Sequence, residues 1–189
     1  MCSTKALTWI MIPLIVGFFT SSIMMRVQQD VSTEVLIVNE QGATGRALVV
    51  YHPGLSSFQE NVMEAYIAGL ADADWSVMVS TASVDAPTSV SDFDLLVLGS
   101  PTYAWKPAGP ITRYLGRLGE LSGLPTALIL TGGGSTGSAA DQLEGAATAA
   151  GADVISILEL WQGAPNDEIQ GTTDPVEIAR QTASGLEGR

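Results

Sequence analysis

A loop at residues 52–57 carries the side chains best suited to bind an anion. It joins an apolar run to a helical pattern and contains one glycine, two serines and the only histidine of the chain. Unpaired N–H groups at a helix amino terminus favour a phosphate, and a glycine lets the backbone approach it closely. A strand–helix turn whose serines cap the helix is the ordinary alternative. The candidate phosphate-binding residues are His52, Gly54, Leu55, Ser56 and Ser57.

A second loop, residues 100–107, presents two aromatic side chains in a chain that has few aromatics. Two prolines limit the freedom of this loop, so that an aromatic ring at its surface can stack on a flat ligand. The alternative is an aromatic residue that only covers the end of the sheet. The candidate ligand-binding residues are Ser100, Pro101, Thr102, Tyr103 and Trp105.

A third loop, residues 131–137, is rich in glycine. Glycines allow backbone N–H groups to come close to the edge of a ligand ring, although a flexible surface turn has the same composition. The candidate residues are Gly132, Gly133, Gly134 and Gly137.

Several other chemistries are excluded by what the sequence lacks. With a single histidine and only Cys2 as a thiol, we predict no catalytic triad and no cysteine nucleophile. Scattered carboxylates without ligand spacing predict no metal site. The first loop has no Walker spacing, which argues against nucleoside triphosphate hydrolysis. We therefore expect no catalytic side chain of the protein's own.

The elements that position these loops alternate between strand and helix. The strands are apolar without polar alternation, which is typical of a parallel sheet covered on both faces, and ligands bind beyond the carboxyl ends of such strands. A short apolar run, residues 35–38, would have to pair at an edge. Ser57 and Glu60 predict a capping box, and Asp174 and Pro175 predict a capped helix start. The predicted strands are residues 47–51, 75–80, 94–99, 126–130 and 153–160, and the predicted helices are residues 57–70, 110–118, 138–150 and one that begins at 174–175.

The amino end predicts a membrane segment. Leu7 to Met25 is almost uniformly apolar, and at 1.5 Å per residue it would span roughly 28 Å, close to the thickness of a bilayer core. A cleaved signal peptide is the alternative, but the run is long for one and no clear cleavage site follows. We divide the chain into an anchor (1–28), a linker (29–45) and one domain (46–189). Lys5 and Arg26 balance, so the side of the membrane stays undetermined.

The charge of the domain limits its partners. All 20 acidic residues follow residue 29, whereas two of the 8 basic residues belong to the anchor, which leaves 6 − 20 = −14 for the rest. A negative surface of this size argues against nucleic acid and against anionic lipid as partners of the domain, so we expect no nucleic-acid partner. It suits a basic partner protein, or simply solubility.

Taken together, residues 46–187 resemble the flavodoxin family. Gly54 and Ser56 match the glycine and final hydroxyl of the family's phosphate loop, the segment 99–103 resembles its second loop with Tyr103 at the stacking aromatic, and 131–137 matches the third. The resemblance implies a three-layer α/β sandwich with a five-stranded parallel sheet in the order 2-1-3-4-5, here preceded by a single transmembrane helix. It also implies FMN as the cofactor.

The first loop departs from the family. The usual sequence is T-x-T-G-x-T, but Tyr51 and Pro53 occupy the first two hydroxyl positions here. Three functions stay open. The chain is expected to be a membrane-anchored electron carrier with a redox partner protein or small-molecule acceptor. The alternatives are an NAD(P)H-dependent quinone or small-molecule reductase, and an interaction domain at the membrane without cofactor.

Overall fold

The computed structural model describes residues 28–186. The predicted membrane segment, Leu7–Met25, lies outside these residues. Among the helices from residue 28 to residue 186, none has the length and apolar character that crossing a bilayer requires.

A mixed sheet of seven strands forms the centre of the domain. Five of them are parallel and stand in the spatial order β3-β2-β4-β6-β7, which confirms the predicted order of the five strands. The prediction of only five strands is wrong, because β1 pairs antiparallel with β3 and β5 pairs antiparallel with β4. The strands are β1 (Leu36–Val38), β2 (Gly45–Tyr51), β3 (Trp75–Thr81), β4 (Leu95–Tyr103), β5 (Lys106–Pro107), β6 (Pro125–Gly132) and β7 (Asp153–Trp161).

The two additional strands have separate causes. The apolar run at 35–38 pairs at the open edge of β3, as the sequence requires once β2 lies between β3 and β4. The other arises because β4 continues past its predicted end at residue 99 and turns back on itself. Tyr103 then pairs with Lys106 across a two-residue turn.

Helices cover both faces of the sheet. Successive residues of a strand point to opposite faces, so Ala47 and Val49 join the core under α1 and α4, while Leu48 and Val50 join the core under α2 and α3. Burial on both faces explains why the strands carry no polar alternation. The helices are α1 (Ser57–Asp72), α2 (Gly109–Leu118), α3 (Gly137–Ala149) and α4 (Pro175–Ser184).

The helix starts agree with the sequence only in part. Asp174 caps α4 as predicted, with its carboxylate accepting the N–H groups of Val176 and Glu177 at 2.9 and 3.0 Å. The predicted capping box of α1 is wrong, because Ser57 is already the first helical residue. The N-cap is Ser56, whose side chain makes no capping hydrogen bond.

The strand register brings the three predicted loops to one edge. Tyr51 at the end of β2 lies beside Gly99 of β4, and Pro101 of β4 lies beside Thr131 of β6. Because the strands are parallel, the segments that follow them meet at their carboxyl ends.

Candidate ligand-binding site

The three loops enclose a cleft of about 140 Å³ at the carboxyl edge of the sheet. The first loop supplies one wall, the second loop another, and the third loop with the segment after β7 closes it. Its lining residues are Gly54, Leu55, Ser56, Phe58, Gln59, Pro101, Thr102, Tyr103, Thr131, Gly132, Gly133 and Gln162.

The first loop presents the amino terminus of α1 to the cleft. Two features favour glycine at position 54. Its φ of +84° lies in the left-handed region, and a Cβ atom there would lie only 3.2 Å from the Tyr103 hydroxyl. Ser56 lines the cleft, and its hydroxyl caps no N–H group of the helix. The first turn of α1 therefore faces the cleft with N–H groups that no side chain caps. Ser57 is exposed and does not line the cleft.

His52 does not line the cleft, although the sequence favoured it as a ligand-binding residue. It is buried, its N–H donates to the Gly99 carbonyl at 3.0 Å, and its Nδ1 accepts the Gly54 N–H at 3.1 Å. The histidine thus fixes the shape of the first loop from behind.

Tyr103 connects the second loop to the first. Its hydroxyl accepts the Leu55 N–H at 3.0 Å, across 48 residues of sequence. Burial raises the pKa of the Tyr103 hydroxyl, and the hydrogen bond from Leu55 opposes part of that rise. The neutral hydroxyl therefore accepts a hydrogen bond from a backbone N–H group of the first loop.

The other residues of the second loop have different roles. Ser100 is completely buried, and its hydroxyl accepts the Ala108 N–H at 2.8 Å, which ties the chain after β5 to β4. Ala104 and Trp105 form the hairpin turn with φ +49° and +61°, a conformation in which asparagine and glycine are preferred. Trp105 is 69% exposed. It does not line the cleft.

The third loop is held in place by the segment after β7. The carbonyls of Gly132 and Gly133 accept the N–H groups of Gln162 and Gly163 at 2.9 and 3.0 Å. Of the four predicted glycines, these two line the cleft. The remaining pair lies outside it: Gly134, whose added Cβ would lie 3.3 Å from Ala164, and Gly137, the first residue of α3.

Gln59 is the principal site residue that the sequence analysis missed. It is 2% exposed, and its Oε1 accepts a hydrogen bond from the Thr131 hydroxyl. Its Nε2 has no partner among the described residues, and the same holds for the hydroxyl of Thr102. The sequence did carry a signal for it. Gln59 precedes Met63 by four residues and Tyr66 by seven, so helical spacing places this polar residue on the buried face of α1. Unpaired buried polar atoms are costly, so these two atoms call for a water molecule or a ligand as their partner.

Comparisons with known proteins support the fold. No family model and no curated protein matches the sequence. Among solved structures, the flavodiiron core of Flv1 from Synechocystis sp. PCC6803 is 17% identical with a TM-score of 0.59, over 77% of this chain and 36% of that one. This chain thus spans about a third of the flavodiiron chain.

Three further solved structures are matched over nearly their full length. A flavodoxin from the domain Archaea is 17% identical with a TM-score of 0.56, over 74% of this chain and 96% of that one. Flavodoxin 1 from Bacillus cereus is 14% identical with a TM-score of 0.58, over 75% and 99%. An azoreductase from Bacillus anthracis has the same TM-score at 12% identity, over 75% and 99%. At these identities the likeness concerns the fold, and this chain has a flavodoxin-like α/β fold.

Proposed function

We propose that this protein binds FMN in the cleft and transfers electrons between the flavin and a redox partner. The single observation that supports this most is the buried Gln59 amide, with an unpartnered Nε2, in a cleft built from the three loops that follow β2, β4 and β6. The structural neighbours named as flavodoxins and as an azoreductase are consistent with it.

The residues of the first loop would hold the phosphate. The N–H groups at the start of α1 and the Ser56 hydroxyl are neutral donors, and the helix dipole adds a partial positive charge. No lysine or arginine lies in this loop, and Pro53 contributes no N–H. We therefore expect binding that is weaker than a complete set of phosphate donors would give.

The second and third loops would hold the ring. Tyr103 offers an aromatic face, Gly132 and Gly133 offer backbone approach, and Thr102 and Gln59 offer unpaired polar atoms. When bound, FMN supplies reversible electron acceptance, and the protein supplies position and electrostatics.

Tyr103 lies between the cleft and a larger space, and we propose that its side chain moves when FMN binds. Ligand pockets usually measure about 300–1,000 Å³, whereas the cleft measures about 140 Å³. Tyr103 also lines a neighbouring cavity of about 570 Å³, together with Lys106 and Gln142. A rotation of its side chain away from Leu55 would join the two spaces and release the Leu55 N–H.

A cofactor-free interaction domain is the second candidate, because Tyr103 already occupies a donor of the first loop and two hydroxyl positions of that loop are replaced. A titration of the purified protein with FMN, followed by flavin fluorescence and the visible absorption spectrum, separates the two. Quenched fluorescence, lost in Gln59→Met but kept in the distant control Ser122→Ala, supports FMN binding. Absence of binding to the unaltered protein overturns it and leaves the interaction domain.

The reductase alternative concerns the same cleft. It is tested once FMN binding has been established. If the FMN-loaded protein oxidises NAD(P)H in the presence of a quinone through many turnovers, it is an enzyme. If it only exchanges electrons with a protein partner, it is a carrier.

We further propose that Leu7–Met25 anchors the domain to a membrane as a single span. The proposal depends on the apolar length of that segment in the sequence. Membrane fractions that retain the full chain after an alkaline carbonate wash support it, and release into the wash overturns it.

A further inference from the structure

Exposed apolar side chains concentrate at the edge of the sheet that holds the cleft. Three of the most exposed follow the adjacent strands β2, β3 and β4: Leu55, Val84 and Trp105, at 54, 73 and 69%. The segment that leads into the sheet adds more. We call this the edge surface, and it consists of Val31, Val35, Leu36, Leu55, Val84 and Trp105, six of the nine exposed large hydrophobic residues in the range 28–186.

The chain enters the domain at this same edge. Arg113 donates to the Gln28 carbonyl and to the Asp30 carboxylate, both at 2.7 Å, and the Thr33 N–H donates to the Thr81 hydroxyl at 3.2 Å. Thr81 is the last residue of β3, and Arg113 belongs to the helix that follows the hairpin. Residues 28–33 are therefore fixed near the carboxyl ends of the strands.

The entry point limits how the domain can face a membrane. In the sequence, the predicted span ends at Met25, three residue steps before Gln28. An extended chain covers about 3.4 Å per residue, so these steps reach only about 10 Å. Gln28 also lines the cavity that contains Tyr103 and Lys106. A domain tethered this closely has its edge surface turned to the bilayer.

The composition of the surface fits a lipid interface better than a protein groove. Trp105 stands on a two-residue turn with its indole exposed, and tryptophan is preferred at membrane–water boundaries. Lys106, the next residue, is an exposed cation that suits a lipid phosphate. Because the domain as a whole is strongly negative, the matching surface is zwitterionic and not anionic.

We infer that the edge surface docks onto a zwitterionic bilayer, so that the cleft opens at the lipid boundary. The inference builds on the membrane span in the proposed function and is independent of FMN. If the cleft also binds FMN as proposed, the redox partner would meet the flavin near the membrane surface.

Depth-dependent fluorescence quenching tests the docking in the full chain. Trp105→Cys and Leu55→Cys, each with Cys2→Ser, carry a fluorophore in phosphatidylcholine nanodiscs that contain nitroxide-labelled lipid. Glu40→Cys is the matched control, because Glu40 is exposed and follows β1 at the opposite edge of the sheet. We expect lipid nitroxides to quench the labels at 105 and 55 several-fold more than the label at 40, and a water-soluble quencher to show the reverse order.

Amide hydrogen exchange, measured on the chain without a fluorophore, checks that the fluorophore itself does not draw the edge surface to the lipid. In nanodiscs, the segments 54–56 and 104–106 should exchange several-fold more slowly than in detergent, with 39–42 unchanged. A chain that incorporates but shows equal quenching at all three positions and unchanged exchange overturns docking and leaves FMN binding untouched. A chain that does not incorporate overturns both the docking and the span.

Discussion

At the scale of single residues, Tyr103 combines two roles that oppose each other. Its ring is the aromatic surface offered by the second loop, while its hydroxyl accepts the Leu55 N–H of the first loop. In the proposed FMN complex the ring would stack on the flavin, whereas the hydrogen bond withholds the Leu55 N–H from the phosphate. The two roles can be separated because they belong to different atoms.

We expect Tyr103→Phe to bind FMN more tightly than the unaltered protein. The substitution keeps the ring but frees the Leu55 N–H, and one net hydrogen bond corresponds to about 0.5–1.5 kcal/mol, or roughly 2- to 10-fold in affinity. Flavin fluorescence titration measures the change. Tyr103→Leu, which removes the ring as well, is the control and should gain less. Weaker binding by the Phe variant would contradict the proposed competition.

Two other tyrosines form a matched pair for the cost of an unpaired hydroxyl. Tyr66 and Tyr114 are both completely buried, but the Tyr66 hydroxyl has no partner among the described residues, whereas Tyr114 donates to the Pro87 carbonyl at 2.6 Å. Tyr66→Phe should raise the free energy of unfolding by about 1–3 kcal/mol, and Tyr114→Phe should lower it by about 0.5–1.5 kcal/mol. Urea denaturation measures both. Changes of equal sign would show that the hydroxyl environments are not as described.

At the scale of elements, the contact between α1 and α4 depends on one glycine. A Cβ atom on Gly69 would come within 2.2 Å of the Arg180 carbonyl oxygen, which belongs to the backbone of α4 and cannot rotate away. The two helices pack over the same core, where Leu70 lies beside Ile178 and Ala183. Any side chain at position 69 forces them apart.

We expect Gly69→Ala to destabilise the protein by several kcal/mol and Gly145→Ala to stabilise it by up to about 1 kcal/mol. The first substitution overpacks a tight helix contact, whereas an added Cβ at position 145, in the interior of α3, meets no atom within 4 Å and gains helix propensity. Thermal denaturation of both variants gives the comparison. A Gly69→Ala variant as stable as the unaltered protein would contradict the close approach of α1 and α4.

At the scale of the whole molecule, all four tyrosines of the chain have raised pKa values. Burial is the main cause in each, and Glu60 and Glu64 add to it at Tyr51. The folded state therefore favours the protonated phenols. The stabilisation is fully present below the ordinary tyrosine pKa near 10 and is lost as the pH rises from there through the folded values.

We expect the free energy of unfolding to decrease above about pH 10, with a slope of at most about 1.4 kcal/mol per pH unit for each tyrosine involved. Urea denaturation between about pH 8 and pH 11 measures it. Tyr66→Phe should reduce the slope, since it removes one buried phenol. A stability that stays constant over this range would contradict the burial of these hydroxyls.

The sequence by itself determined the layered sheet and the edge at which a site would form. Apolar strands without alternation bury both faces between two layers of helices. A short run such as residues 95–98 is enough to predict this burial. The convergence of the loops at the carboxyl edge followed from the parallel strands, whereas the strand order came from the resemblance to the flavodoxin family. Gly54, Ser56 and Thr102 were accordingly found in the cleft from their positions after strands.

Only the tertiary structure decided which way the loop side chains point. His52 and Ser100 lie on predicted loops but are buried. The His52 N–H donates to the Gly99 carbonyl of β4, and Ser100 still pairs with Leu130 of β6. Gln59 faces the cleft because the rotation of α1 over the sheet places it beside Thr131, 72 residues away. The contact of Tyr103 with Leu55 likewise joins distant segments. Local sequence patterns record burial and helix or strand period, but such contacts exist only once the layers have packed.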